Sequence, residues 1–132
     1  MSARTYLLDA NALIALSIFE HEHHERAARW SVNVRRIALC PIVEGALYRF
    51  LVRSGASHGD AFRLLTVLYE QQRVVFWPDA ISYRDADLDH VVGHRQTTDA
   101  YLASLAARNN ASLATFDEAL AAVRPDVVTL IP

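Results

Sequence analysis

Short runs of consecutive apolar residues alternate along this chain with longer segments of helical periodicity. The runs Leu7-Leu8, Ile37–Leu39 and Val127-Val128 lack the alternation of apolar and polar residues that a strand with one solvent-facing side requires. A sheet buried on both faces accepts such strands, and the intervening helices cover it through right-handed crossovers. The pattern therefore predicts an α/β fold, in which a central, mainly parallel sheet lies between layers of helices.

Periodicity and turn residues also predict where the elements lie. Strands are expected at 4–8, 36–40, 74–77, 112–115 and 127–131. Helices are expected at 10–19, 21–35, 42–53, 59–72, 85–92, 97–108 and 118–123. In the helix at 59–72, Phe62 and Tyr69 are predicted to face the core. No repeat or linker interrupts this order, so a single domain spanning residues 1–132 is expected.

Composition predicts a soluble, cytoplasmic protein with no membrane partner. No stretch approaches the roughly 20 apolar residues that span a bilayer, and the apolar start ends at Asp9, too early for a secretory signal. Cys40 is the single cysteine, which fits a reducing compartment. The net charge of −2 argues against binding nucleic acid by bulk attraction. All 13 basic residues are arginine, so any mechanism that needs a lysine is excluded.

Two aspartates follow predicted strands, Asp9 immediately and Asp117 after one intervening residue. Asp9 ends the segment YLLD, and Asp117 ends the segment SLATFD. Ligands of open parallel sheets bind outside the carboxyl ends of the strands, so both carboxylates are expected at one crevice. Glu44 and Asp99 lie early in predicted helices; Glu44 follows a strand and is expected to reach the same edge, whereas the pattern alone does not place Asp99 there.

Each acid also has a purely structural interpretation. Asp9 and Asp117 suit the N-cap position of a helix, and Asp99 suits the positive end of a helix dipole. Glu44 taken alone is compatible with an exposed helix position. The combination favours a site, because at ~5 Å and an effective dielectric of ~20 each pair of carboxylates repels by about 3 kcal/mol. Protonation or a cation must relieve this repulsion, and ligands that are all oxygen suit Mg²⁺ or Mn²⁺.

The segments YLLDANALIAL, CPIVEGALYRFL and TTDAYLASLAARNNASLATFD resemble the PIN-domain ribonucleases, especially the VapC-type toxins of bacterial toxin–antitoxin pairs. The resemblance extends over most of the chain. It implies a five-stranded parallel sheet in a three-layer α/β/α sandwich, with Asp9, Glu44, Asp99 and Asp117 as the acids that hold the metal. Asn11 and Thr115 match polar positions beside the metal. Ala10 departs from the pattern, since many members carry threonine after the first acid.

The resemblance also implies a homodimer and an antitoxin partner whose tail enters the active-site groove. The predicted function is therefore that of a Mg²⁺- or Mn²⁺-dependent endoribonuclease, the toxin of a type II toxin–antitoxin system, whose product carries a 5′-phosphate and a free 3′-hydroxyl. Arg49 and Arg95 are candidates for contacts with RNA phosphates, although a solvated surface position explains them equally well.

Two alternative functions stay open at this point. One is a catalytically silent PIN-like domain that only binds RNA or a protein partner; its sequence would be expected to lack one of the four acids. The other is a nuclease acting on structured DNA, and the shortness of the chain argues against it. The histidines at 21, 23 and 24 are interpreted as a polar helix face, because no further ligand completes a zinc set.

Overall fold

The sheet is central to the fold and all of its strand pairs are parallel. The computed structural model describes residues 3–132. Its sheet has five strands in the order β3-β2-β1-β4-β5. The strands are β1 Thr5–Leu8, β2 Arg36–Leu39, β3 Val74–Phe76, β4 Ser112–Thr115 and β5 Val128–Leu130. The predicted α/β class and parallel sheet are confirmed.

Helices flank the sheet. They are α1 Ala10–Ser17, α2 His24–Ser31, α3 Pro41–Arg53, α4 His58–Glu70, α5 Thr97–Arg108 and α6 Glu118–Val123, with 3₁₀ turns at Tyr83–Asp85 and His94–Gln96. Helix α1 contacts α2 and α3, α3 contacts α4, and α5 packs on β1 and β4. The boundaries predicted for α5, β4 and α6 are confirmed.

The helix predicted at 85–92 is wrong. A 3₁₀ turn at Tyr83–Asp85 is followed by turns and loop. The backbone N–H of Asp87 donates to the Ser104 hydroxyl at 2.9 Å, and the Asp87 carboxylate accepts from the N–H of Asp89 at 3.1 Å. Such local side-chain bonds offer the backbone an alternative to the helix, which explains the difference.

Two further predictions are wrong in detail. Helix α2 begins at His24 instead of residue 21, because the His21 ring accepts the N–H of His23 at 3.0 Å and closes a turn before the helix. Phe62 was predicted to face the core, but its side chain is 58% exposed on α4.

The middle of the sheet is fully buried, which explains the apolar strands. Leu7 and Leu113 are paired across β1 and β4, and both are 0% exposed. At the carboxyl end of the same pair, Leu8 faces Ala114, and the N–H of Asp9 donates to the carbonyl of Ala114 at 3.2 Å. This register brings the residues that follow β1 and β4 to one edge of the sheet. Among residues 3–132, no helix combines the length and the apolar character that crossing a membrane requires.

Candidate active site

Asp9 is a buried carboxylate at the carboxyl end of β1. Its side chain is the N-cap of α1, where Oδ1 accepts the N–H of Ala12 at 2.8 Å, and the residue is only 4% exposed. Oδ2 accepts a hydrogen bond from the Thr115 hydroxyl. Burial raises the pKa of Asp9, the hydrogen bonds from Thr115 and Ala12 oppose this rise, and the charge of Asp117 adds to it. Hydrogen bonds therefore hold the Asp9 carboxyl group in place, although its burial disfavours the charged form.

Asp117 lies beside Asp9 because β4 pairs with β1. It is the N-cap of α6, and its Oδ1 accepts the N–H of Leu120 at 3.0 Å. Its own N–H donates to the Thr115 hydroxyl at 3.0 Å, so Thr115 links the two acids. The interpretation of Asp9 and Asp117 as helix caps is thus correct. Each carboxylate oxygen keeps acceptor capacity beyond its cap bond, so capping does not exclude a second role.

Asp99 joins these two acids from a different element. It lies half-buried in the first turn of α5, while Gln96 is the N-cap of that helix. Burial, followed by the charges of Asp9 and Asp117, raises the pKa of Asp99 from 3.8 to about 6. No hydrogen bond is among the causes of this shift, so nothing offsets the repulsion. Asp9, Asp99 and Asp117 are therefore brought together at the carboxyl edge of the sheet.

Glu44 has a separate environment. It lies half-buried in the first turn of α3, and its Oε2 accepts a hydrogen bond from the Tyr69 hydroxyl of α4. Glu44 is not among the charges that raise the pKa of Asp9 or Asp99. Burial, and then the hydrogen bond and charge of Glu44, raise the pKa of Tyr69, so the phenol stays protonated and acts as the donor. The structure thus fixes the orientation of Glu44 without coupling it to the three aspartates.

The remaining predicted site residues are polar and lie at the surface, except Thr115, which is 0% exposed. Asn11, Arg49 and Arg95 are exposed. Arg49 lies along α3 against Gly45, where an added Cβ would come within 3.3 Å of the Arg49 Nη1. The absence of a side chain at Gly45, the residue after Glu44, therefore leaves room for the Arg49 guanidinium.

Two clefts of different character adjoin Asp117. The first is mostly apolar and contains about 450 Å³ of space, part of it open to solvent; it is lined by His90, Val92, Gln96, Asp99, Asp117, Ala119, Leu120 and Val123. The second is mostly polar and contains about 650 Å³, also partly open to solvent; it is lined by Asn11, His21, Glu22, His23, Phe116 and Asp117. In the polar cleft the His23 ring stacks on Phe116 with 5.1 Å between the centroids. Asp117 therefore lies between a polar surface and an apolar one.

The donor chemistry of the acids fits a hard divalent cation. Carboxylate oxygens are the ligands that Mg²⁺ and Mn²⁺ prefer, and a bound cation would offset the repulsion that Asp9 and Asp117 exert on the charge of Asp99. Among residues 3–132, no three His, Cys, Asp or Glu side chains already converge at ligand spacing. Backbone N–H groups at the starts of α1 and α6 hold the Asp9 and Asp117 carboxylates.

Sequence reasoning missed Tyr69 and the apolar cleft. Tyr69 was assigned to the core stripe of α4 by its spacing, and its ring is indeed half-buried, but its hydroxyl reaches Glu44. The spacing of apolar residues carries no signal for such a hydroxyl contact. The apolar cleft is formed partly by the loop that was predicted as a helix, so no pattern indicated it.

A parallel sheet with three aspartates at its carboxyl edge defines an α/β protein with an acidic site. The chain belongs to the PIN-domain family, whose sequence profile matches residues 6–124. Within this family, it is 49% identical to Ribonuclease VapC29 of Mycobacterium tuberculosis over 129 residues, which cover 97% of each chain.

Two solved structures share the fold at low sequence identity. Mycobacterium tuberculosis VapC20, a Sarcin-Ricin loop cleaving toxin, gives a TM-score of 0.67 at 16% identity, over 89% of this chain and 94% of that one. The structure of VapBC2 from Rickettsia felis bound to a DNA fragment from the VapBC2 promoter gives a TM-score of 0.66 at 18% identity. The match covers 96% of this chain and 98% of that one. These likenesses confirm the expected PIN-like fold.

Proposed function

We propose that this protein is a Mg²⁺- or Mn²⁺-dependent endoribonuclease and the toxin of a type II toxin–antitoxin pair, with residues 1–132 as one nuclease domain. The observation that carries the proposal is the proximity of Asp9, Asp99 and Asp117 at the carboxyl edge of the sheet, where burial and then the charges of Asp9 and Asp117 raise the pKa of Asp99 to about 6. Family membership and 49% identity to a ribonuclease support it.

In this proposal each site residue has a defined task. Asp9, Asp99 and Asp117 hold the cation, with Glu44 as a nearby fourth acid. When bound, the cation polarises the phosphodiester and makes water a better nucleophile near neutral pH. Thr115 keeps Asp9 oriented through its hydrogen bond, and such supporting contacts tune metal sites.

The exposed polar residues would bind the substrate. The proposal assigns Arg49 and Arg95 to RNA phosphates, because exposed guanidinium groups bind phosphate oxygens with two parallel hydrogen bonds. Asn11 lies in the polar cleft beside Asp117 and would position water or a phosphate oxygen there.

The proposed partners follow from the relatives. VapBC2 is a toxin–antitoxin complex, and its likeness to this chain supports a cognate antitoxin as the partner here. The proposal also includes a homodimer and a cytoplasmic location. The buried, unpaired Cys40 is compatible with a reducing compartment.

The test is cleavage of end-labelled single-stranded RNA by the purified protein in Mg²⁺ or Mn²⁺, with and without EDTA. EDTA, Asp9→Asn and Asp99→Asn are each expected to abolish cleavage. Asparagine is as good an N-cap as aspartate, so Asp9→Asn keeps the start of α1. Asp85→Asn, at an exposed position outside the acid group, is the matched control and should cleave normally. Cleavage that survives EDTA would refute the metal mechanism.

A calorimetric titration with Mg²⁺ or Mn²⁺ provides a readout that does not depend on activity. The wild-type protein is expected to bind the ion, and Asp99→Asn to bind it more weakly. Binding of equal strength in both proteins would remove Asp99 from the ligand set.

A further inference from the structure

The apolar cleft beside Asp99 and Asp117 has no role in the function proposed so far. Its apolar walls come from two separate elements, the loop that precedes α5 and the helix α6. Val92 on the loop is 90% exposed and Val123 at the end of α6 is 54% exposed, while Leu120 is only 5% exposed. Two exposed valines bordering one cleft leave apolar surface in water next to charged groups. Such a surface is typical of a binding site.

Two polar side chains in this cleft have hydrogen-bonding capacity to spare. The Nε2 atom of His90 is buried and has no hydrogen-bond partner among the described residues. The Oε1 atom of Gln96 accepts the N–H groups of Val92 at 2.6 Å and Gly93 at 3.3 Å. Because both donors are backbone N–H groups, the acceptor must be the amide oxygen. The NH₂ group of Gln96 is then left as a donor.

We propose that this cleft binds one nucleobase of single-stranded RNA, a nucleotide adjacent to the phosphodiester that is cleaved. This inference rests on the proposed ribonuclease function and adds a base-binding pocket to it. A nucleobase has apolar faces and a polar edge, and proteins bind unstacked bases by packing on the faces and hydrogen bonding at the edge. Val92, Leu120 and Val123 provide the apolar contact, and His90 and Gln96 provide the polar groups.

The position of the acids favours a base over a phosphate in this cleft. Asp99 and Asp117 are among the residues that line the cleft, so a phosphate held at the acids has its attached nucleoside within reach of the pocket. The apolar part of the cleft offers an anion no positive charge and no row of hydrogen-bond donors. A neutral, flat group therefore matches the cleft better than an anionic one.

The test is cleavage of RNA oligonucleotides that differ at one nucleotide. A cleaved oligonucleotide is compared with versions in which an abasic ribose replaces each nucleotide on either side of the cleavage site. We expect one abasic position to lower kcat/KM about tenfold, the range for losing a contact in an apolar pocket. Equal cleavage of all versions by the wild-type protein would overturn the inference while leaving the ribonuclease function intact. No cleavage of any RNA would instead remove the proposed function and the inference together.

Variants of the cleft connect the effect to its residues. Val123→Phe fills the cleft and is expected to cleave intact and abasic RNA at the same low rate. Val67→Phe is the matched control, since Val67 is 55% exposed on α4. This variant should still cleave intact RNA faster than abasic RNA, as the wild-type protein does. His90→Ala breaks no hydrogen bond at Nε2 and should change which base is preferred. If Val123→Phe and His90→Ala still cleave abasic RNA more slowly than intact RNA, as the wild-type protein does, the inference is overturned.

Discussion

The Thr115 hydroxyl donates a hydrogen bond to Asp9 across the β1–β4 pair, although 106 positions separate the two residues in the sequence. The same hydroxyl accepts the N–H of Asp117 at 3.0 Å. The amide of Asp117 can only donate, so the hydroxyl proton is directed to Asp9. Thr115 therefore links the two acids and favours the charged form of Asp9, and this relationship is the basis of the first prediction.

Thr115→Val is expected to impair the site more than the fold. The hydrogen bond from Thr115 lowers the pKa of Asp9, so its loss should raise that pKa further and favour the protonated form, which binds cations poorly. We expect a loss of about 10–100-fold in metal affinity or activity, as for other groups that support metal ligands. The measurement is Mg²⁺ titration combined with RNA cleavage. Thr115→Ser keeps the hydroxyl and should retain most of the activity; equal losses in both variants would contradict the prediction.

Asp99→Asn is expected to stabilise the metal-free protein at neutral pH. The pKa of Asp99 rises from 3.8 to about 6 on folding, chiefly through burial, so the folded state binds the proton more tightly than the unfolded state. The free energy of unfolding therefore falls as the pH rises between about 4 and 6, and this loss persists at pH 7. Removing the charge of Asp99 should raise the free energy of unfolding by roughly 1–2 kcal/mol at pH 7, after discounting for partial exposure.

Urea unfolding in EDTA measures this effect at the two ends of the pH range. Near pH 4 the wild-type carboxyl is protonated in the folded state, so the two proteins should differ little there. A gain of the same size at both pH values would show that the effect does not come from the charge of Asp99.

Tyr69→Phe tests whether the orientation of Glu44 matters. The variant removes the hydroxyl that donates to Glu44 and keeps the ring that packs against the core. We expect kcat/KM for RNA cleavage to fall, and Tyr69→Phe to have no further effect in a protein that already carries Glu44→Gln. Such non-additivity identifies a pair that acts together. Tyr48→Phe removes a hydroxyl from α3 and serves as the control; additive losses would mean that Tyr69 acts independently of Glu44.

Ser104→Ala is expected to loosen the loop that precedes α5. The hydroxyl of Ser104 accepts the N–H of Asp87 at 2.9 Å and donates to the carbonyl of Ala100 at 3.1 Å. Losing the Ser104 hydroxyl should lower the free energy of unfolding by about 1 kcal/mol and speed amide hydrogen exchange at Asp87. Ser54→Ala removes a similar bond to the carbonyl four residues earlier, in an exposed position, without touching the loop. Unchanged exchange at Asp87 in the Ser104 variant would contradict the prediction.

The sequence sufficed for the sheet and for the acids that lie just after its strands. Fully buried strands must be apolar on both sides, so the runs in β1 and β2 were recognisable, and residues that come just after parallel strands lie at the shared edge. The end of α5 was equally clear because Asn109 and Asn110 are turn residues; Asn110 adopts a positive φ of 54° there.

The position of Asp99 at the edge of the sheet depends on tertiary packing that local sequence patterns do not encode. The same is true of the contact between Glu44 and its hydrogen-bond partner. Asp99 follows a loop instead of a strand, so its place at the edge depends on how α5 packs against β1 and β4. Tyr69 reaches Glu44 only because α3 and α4 pack together. Metal binding by the acids and the involvement of Glu44 stay predictions.

The strand order has a consequence for the making of this protein in the cell. The strand that carries Asp9 is synthesised first, yet one of its two neighbours in the sheet is β4, which begins at Ser112. A nascent chain that has not yet released β4 from the ribosome lacks Thr115 and Asp117, so it cannot gather the acids. Under the proposed function, translation products that end before β4 cannot cleave the RNA around them, because the site forms only once nearly the entire polypeptide has emerged and folded.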